Sequence, residues 1–132
     1  MTGGPSGRGD PLVLIADDDE DILRLIAVRL GREGYRIVTA ANGEQALRIA
    51  REQLPDLAVL DVMMPFLTGI EVTERLRAEG VRLPIVLLTA RVREAEISRG
   101  FRAGADDYVQ KPFSPAELRD RIRAALARRS DG

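Results

Sequence analysis

Asp17-Asp18-Asp19-Glu20-Asp21 puts five acids in succession directly after the apolar run Leu12-Val13-Leu14-Ile15-Ala16. Taken alone, the acidic run suits the first turn of a helix, where Asp caps free backbone N–H groups and each acid complements the dipole by about 0.3–1 kcal/mol. A further carboxylate, Asp61, closes a second apolar run in Leu60-Asp61-Val62-Met63-Met64-Pro65. If the fold brings Asp61 beside Asp17 and Asp18, the three repel one another, and either some take up protons or a divalent cation sits among them. Mg²⁺ takes oxygen ligands, prefers an octahedron and keeps several waters, a demand that an acidic pair, one more carboxylate and a backbone carbonyl can meet. Thr89 ends a third apolar run and Lys111 follows the segment Tyr108-Val109-Gln110. A hydroxyl and a fixed cation beside a metal-bound carboxylate are what phosphoryl transfer needs, because its catalysis is mostly in-line positioning and neutralisation of charge. A carboxylate can itself be the nucleophile and form an acyl phosphate.

The composition narrows the chemistry further. The chain has no cysteine and no histidine, which removes disulfides, thiolate catalysis, zinc-cysteine sites, imidazole bases and phosphohistidine on this chain. Formal net charge is −1, with both signs spread along the chain, so no basic field points to nucleic acid and no polybasic block to a membrane surface. No apolar stretch approaches the roughly 20 residues that span a bilayer, and the N-terminus has no apolar signal core. A cytoplasmic location is therefore expected. With 132 residues, 45% of them apolar, one domain with an ordinary core accounts for the chain.

The elements that must position these residues follow from hydrophobic patterning. Leu12–Ala16, Leu57–Leu60 and Ile85–Leu88 are apolar at consecutive positions, as in parallel strands covered on both faces. Arg36–Ala40 and Tyr108–Gln110 are more mixed, as edge strands are. Ile22, Leu25, Ile26 and Leu30 recur at helical spacing, as do Ala46, Leu47, Ile49 and Ala50, then Val72 and Leu76, and finally Leu118, Ile122 and Leu126. A fourth helix around 94–103 has the weakest apolar stripe. Thr68 and Ser114 suit N-caps, and Gly34, Gly80 and Gly104 suit helix ends that need positive φ. The sum is a (βα)5 chain, an α/β doubly wound parallel sheet with helices on both faces and right-handed crossovers. In the flavodoxin-like strand order 2-1-3-4-5, strands 1 and 3 end side by side at the switch point where ligands bind. Residues 1–11, rich in Gly and Pro, read as a disordered leader, 12–129 as the folded domain and 130–132 as a tail. The Arg8-Gly9-Asp10 triplet in that leader is best read as chance.

From Leu12 to about Arg128 the chain resembles the receiver domain of response regulators, in co-linear order and without large insertions. Asp17 and Asp18 match the family's acidic pair, Asp61 its phosphoacceptor, Thr89 and Lys111 its hydroxyl residue and lysine, and Tyr108 in Gly104-Ala105-Asp106-Asp107-Tyr108 its aromatic switch residue. Lys111-Pro112-Phe113 is a family signature, and its Lys-Pro bond is expected to be cis. The resemblance implies that Asp18, Asp61 and the backbone carbonyl of Met63 hold Mg²⁺ (or Mn²⁺), with Asp17 acting mainly through a metal-bound water. It implies that Lys111 pairs with the phosphoryl group. On phosphorylation the Thr89 hydroxyl turns toward a phosphoryl oxygen and Tyr108 fills the vacated space, a two-state equilibrium biased at one end. The implied phosphodonor is a sensor histidine kinase or a histidine phosphotransfer protein, and the only reactions catalysed are the domain's own phosphorylation and dephosphorylation.

Some positions depart from the family pattern. Thr68-Gly69 stands where Asp-Gly is usual, and Phe66 where a small or polar residue is common. The region from Ala90 onward is most similar to receivers of winged-helix transcription factors, which dimerise through helix 4, strand 5 and helix 5. Asp106, Asp107, Glu117 and Arg121 fit that face, whereas Ile97 and Arg102 replace a usual base and a usual acid. Helix 5 carries Arg119, Arg121, Arg123, Arg128 and Arg129, but alternation with Glu117 and Asp120 reads as a solvated face, with no direct nucleic-acid contact. Leader and tail read as natural ends, so a stand-alone regulator acting through a downstream protein partner is expected ahead of one with an effector domain elsewhere. The strongest rival is a haloacid-dehalogenase-like phosphatase with Asp17 as nucleophile and Asp19 as acid/base, which would leave Asp61 without a role. A dinucleotide-binding module is weaker, since the first turn has acids in place of a Gly-rich loop. A non-phosphorylated scaffold fits worst with the complete motif set.

Overall fold

The structure, a computed structural model, describes residues 10–90 and 94–131. The leader before Asp10, most of the Arg8-Gly9-Asp10 triplet and Gly132 of the tail lie outside the described residues. Strands and helices alternate strictly: β1 (Leu12–Ala16), α1 (Glu20–Arg32), β2 (Arg36–Ala40), α2 (Gly43–Gln53), β3 (Leu57–Asp61), α3 (Gly69–Ala78), β4 (Ile85–Thr89), α4 (Glu94–Ala103), β5 (Asp107–Gln110) and α5 (Pro115–Asp131). The strands form one parallel sheet in the order β2-β1-β3-β4-β5, the doubly wound α/β topology that the patterning predicts. Among the described residues, no helix is long and apolar enough to cross a membrane.

Every residue of β3 and β4 is buried, and their side chains alternate between two cores as the pleat requires. Leu14, Ala58, Leu60, Ile85 and Leu87 join Ala46, Leu47, Ile49, Val72 and Leu76 on the α2–α3 side. Val13, Ile15, Leu57, Val59, Val86 and Leu88 join Ile26, Leu30, Leu118 and Ile122 on the α1–α5 side. In α1 the buried stripe is Leu23, Ile26 and Leu30, and Leu25, expected inside, is 56% exposed. The i, i+3, i+4 spacing allowed either phase, and docking chose Leu23. α4 buries only Gly100 among its residues, which explains its faint sequence signal.

Local chemistry fixes the boundaries. Asp19 caps α1, accepting from the N–H groups of Asp21 and Ile22 at 2.9 and 3.3 Å. Thr68 and Glu71 form a reciprocal capping box on α3, so Thr at this position caps the helix. The Ser114 hydroxyl accepts from Glu117 N–H at 3.0 Å at the start of α5. Gly34, Gly80 and Gly104 take positive φ after α1, α3 and α4.

At the entry edge of the sheet, two carboxylates clasp a neighbouring strand. Asp56 donates its N–H to Leu12 O and accepts Leu12 N–H on Oδ2, both at 2.8 Å. Asp106 does the same with Ile85, again at 2.8 Å in both directions. Each clasp satisfies the first amide of a strand that has no further ladder partner. Replacing Asp106 with Ala should lower the stability of the chain by on the order of 1 kcal/mol in urea unfolding, and Asp106→Asn, which keeps an acceptor oxygen, should lose less.

Candidate functional site

Strand register assembles the site at the opposite edge. Ala16 pairs with Leu60 and Asp61 with Leu88, so the residue after β1 and the last residue of β3 emerge side by side. Asp17 extends the ladder by donating its N–H to Ala40 O at 3.1 Å, and its carboxylate is wholly buried. Asp61 is 4% exposed, whereas Asp18 is exposed. Each of the three offers one oxygen, and these oxygens lie within 4.8 Å of one another. The topology thus brings Asp61 to Asp17 and Asp18, from which the sequence separates it by more than forty residues.

Lys111 is carried to the same place by the pairing of β5, its N–H donating to Thr89 O at 2.7 Å. Its Nζ donates to Asp17 Oδ2 at 2.8 Å and to Asp61 Oδ2 at 3.2 Å. Lys111-Pro112 is cis, as the family resemblance implies. Thr89 ends β4 beside them and is buried. Met63 N–H donates to Asp61 Oδ1 at 3.1 Å, which ties the loop after β3 to the carboxylate. That loop is held from below as well: Gly69 N–H donates to Val62 O at 3.1 Å, and a Cβ on Gly69 would lie 2.5 Å from Asp61 O. Gly43, at the start of α2, is likewise packed on the backbone of Leu67 and leaves no room for a side chain. Sequence reading passes over the close packing at both glycines, because what singles them out is a neighbour supplied by the fold.

The electrostatics follow from burial. Desolvation, helped by the charge of Asp17, raises the Asp61 carboxyl to about 6, against the opposing pull of Lys111 and the Met63 N–H. Burial alone would lower the Lys111 ammonium, but its bonds to Asp17 and Asp61 outweigh that and hold it above the ordinary lysine range. Three carboxylates against one ammonium leave an excess of negative charge that a cation would offset.

The other anticipated residues sit apart from this cluster. Tyr108 turns to α4, where its hydroxyl donates to Glu96 O at 2.8 Å. Asp107 pairs with Arg121 at 3.2 Å, and Asp106 holds Ile85 N–H and Arg77. Asp106 and Asp107 of the anticipated dimer face therefore have partners inside the chain. Glu117 and Arg121 lie on α5 with exposed side chains. Phe66 is 74% exposed at φ 72°, a left-handed conformation uncommon for a bulky residue. Asp19, the acid/base of the rival phosphatase reading, is engaged in capping α1.

Residues 13–123 match the model of the response regulator receiver domain family. The chain is 47% identical over 116 residues to the alkaline phosphatase synthesis transcriptional regulatory protein PhoP of Bacillus subtilis, an alignment covering 88% of this chain and 48% of that protein. It spans about half the length of the curated relatives it matches. Among solved structures it is similar to the Francisella response regulator 1452 receiver domain, with TM-score 0.86 and 34% identity over 90% of this chain and 98% of that one. A CheY-like receiver domain protein from Methanospirillum hungatei superposes with TM-score 0.89 at 27% identity, covering 94% of this chain and 100% of that one. The chain belongs to the response regulator receiver domain family of two-component systems.

Proposed function

We propose that this domain accepts a phosphoryl group on Asp61 from the phosphohistidine of a sensor histidine kinase or a histidine phosphotransfer protein. The observation that carries this is the pair of buried carboxylates, Asp17 and Asp61, bridged by the single ammonium of Lys111 at the exit edge of the sheet. An Asp61 oxygen attacks phosphorus, a P–O bond forms, the P–N bond breaks, and the departing imidazole takes a proton. Attack of water on the resulting acyl phosphate returns the carboxylate and inorganic phosphate. The domain thus catalyses only its own phosphorylation and dephosphorylation.

The donor set suits Mg²⁺ or Mn²⁺: all its atoms are oxygens, two of the three carboxylates are buried, and the negative charge exceeds what Lys111 neutralises. On this reading Asp18, Asp61 and the Met63 carbonyl hold the ion, with Asp17 contributing through water. When bound, the ion neutralises charge on the phosphoryl oxygens. Lys111 follows the new charge and pairs with the phosphoryl group. The Thr89 hydroxyl turns to a phosphoryl oxygen, and Tyr108 leaves α4 for the space so opened. The movement remodels the α4–β5–α5 face, through which output passes to a protein partner or to an effector domain outside this segment. The relatives, named as transcriptional regulatory proteins and about twice as long, favour the effector domain. A homodimer on that face would need Asp107 and Arg121 to exchange their present pairing. The working unit begins at residue 12, after the leader 1–11, and runs beyond the expected boundary at 129, since Ser130 and Asp131, read as tail, continue α5; its compartment is the cytoplasm, where the kinase presents its phosphohistidine.

Incubation with Mg²⁺ and a small acyl-phosphate donor should add one phosphoryl group to the intact mass of wild type and none to Asp61→Asn. An adduct that persists in the variant would move the nucleophile to another residue, Asp17 first. A second prediction concerns stability with chelator present. The Asp61 carboxyl is raised from 3.8 to about 6 in the folded chain, so its stabilising contribution is full below about 3.8 and is lost as pH rises through about 6. Asp61→Asn should therefore be more stable than wild type at pH 7.5, by on the order of 1–3 kcal/mol, and this advantage should vanish near pH 4. Thermal unfolding at the two pH values, repeated with Mg²⁺, measures it; Mg²⁺ should raise the wild-type midpoint more than that of the variant.

A further inference from the structure

Gly100 sits in the seventh position of the ten-residue helix α4, where alanine ordinarily gives the more stable helix. It is also the only residue of α4 that is buried. What covers it is Tyr108 of β5: a Cβ built on Gly100 would lie 2.8 Å from both Cε2 and Cζ of that ring and would overlap its hydroxyl oxygen. The ring is held there from two more directions. Its hydroxyl donates to Glu96 O, one helical turn before Gly100, at 2.8 Å, and Phe101 meets it edge-on with ring centroids 5.4 Å apart. Burial in this place raises the phenol above its ordinary value, Glu96 adds to the effect, and Arg99 opposes it.

We propose that Gly100 is a positioning residue for the switch: its missing side chain makes a seat on α4 that holds the Tyr108 ring away from the phosphorylation site. The proposal rests on the reading of Tyr108 as the residue that moves on phosphorylation. If the ring has two places, on Gly100 or beside Thr89, the relative free energy of the two decides how readily the phosphorylated arrangement is reached. A methyl group on Gly100 acts on one place only. It forces the ring off its seat by overpacking, and the population shifts toward the other place by on the order of tenfold.

The 132-residue chain has two tyrosines and no tryptophan, so Tyr35→Phe leaves Tyr108 as the single tyrosine. In that background, with tyrosine labelled with ¹³C at Cζ, Gly100→Ala should move the one Tyr108 resonance toward the position it takes when the Gly100 protein is phosphorylated with an acyl-phosphate donor and Mg²⁺. Phosphorylation by that donor should speed up by roughly tenfold. In a Tyr108→Ala background, Gly100→Ala should leave the rate unchanged and raise the melting temperature, the sign expected of a helix freed of the constraint. An unmoved resonance in Gly100→Ala overturns the seat and leaves the phosphoacceptor reading standing. A resonance that moves in Gly100→Ala but not on phosphorylation, with the rate unchanged, overturns the switch role of Tyr108 and the proposal with it. A loss of folding on Gly100→Ala that persists without Tyr108 also overturns it, since the constraint then lies elsewhere.

Discussion

Two carboxylates, Asp17 and Asp61, are removed from water next to each other, and one lysine reaches both. Most of the architecture can be read as what keeps that unfavourable pairing in place. An apolar sheet buried on both faces has to end somewhere, and at the exit of β1 and β3 it ends in acids whose side chains are still inside the protein. Desolvation and the neighbouring charge of Asp17 raise the Asp61 carboxyl to about 6, and Lys111 offsets part of the repulsion without cancelling it. A group left in this condition responds strongly to any new charge, because in a region of reduced dielectric a nearby cation or phosphoryl oxygen is poorly screened.

The entry edge of the same sheet uses the same residue type to the opposite end. Asp56 and Asp106 each meet a strand amide in a reciprocal pair, so their acceptor capacity is used by backbone that would otherwise lack a partner. At the exit edge the Asp19 N–H reaches Asp17 Oδ1 and the Met63 N–H reaches Asp61 Oδ1, while Lys111 takes the Oδ2 atoms of both. The sheet is thus stabilised by carboxylates at one end and left with an excess of buried negative charge at the other.

Sequence made much of this visible. Consecutive apolar residues in β1, β3 and β4 defined the strands, and βα alternation left few ways to arrange them, so Asp17, Asp61, Thr89 and Lys111 could be placed at one edge from pattern alone. The caps at Thr68 and Ser114 were equally visible, being local in sequence. Less legible was anything decided by tertiary contact. Leu23 and Leu25 are indistinguishable by hydrophobicity, and only docking of α1 against the sheet buries the first. Gly69 and Gly43 look like ordinary glycines near helix starts until Asp61 and Leu67 are seen against them. Gly100 carried no signal at all, since a glycine inside a helix usually only weakens it. Asp106 and Asp107 were recognisable by type as dimer-face candidates, yet their pairing with Arg77, Ile85 and Arg121 depends on elements that only the tertiary fold brings beside them.

The Arg77 guanidinium donates from Nε and one Nη to Gly104 O at 3.1 and 2.8 Å, and from the other Nη to Val81 O at 2.9 Å. It thereby pins the last turn of α4 to the end of α3, and Gly104 packs on the stem of the same side chain. Mechanically, α4 is a lever pinned at its C-terminal end by Arg77 and held near its other end by the Tyr108 hydroxyl on Glu96 O. At 1.5 Å per residue its ten residues make an arm of about 15 Å, so a small rotation about the Arg77 pin moves the helix least at Gly104 and most at Glu94, the end that follows the strand carrying Thr89. On the switch reading proposed above, release of the Tyr108 bond would free that arm, and a small angular change would be amplified along it into a displacement another molecule can detect.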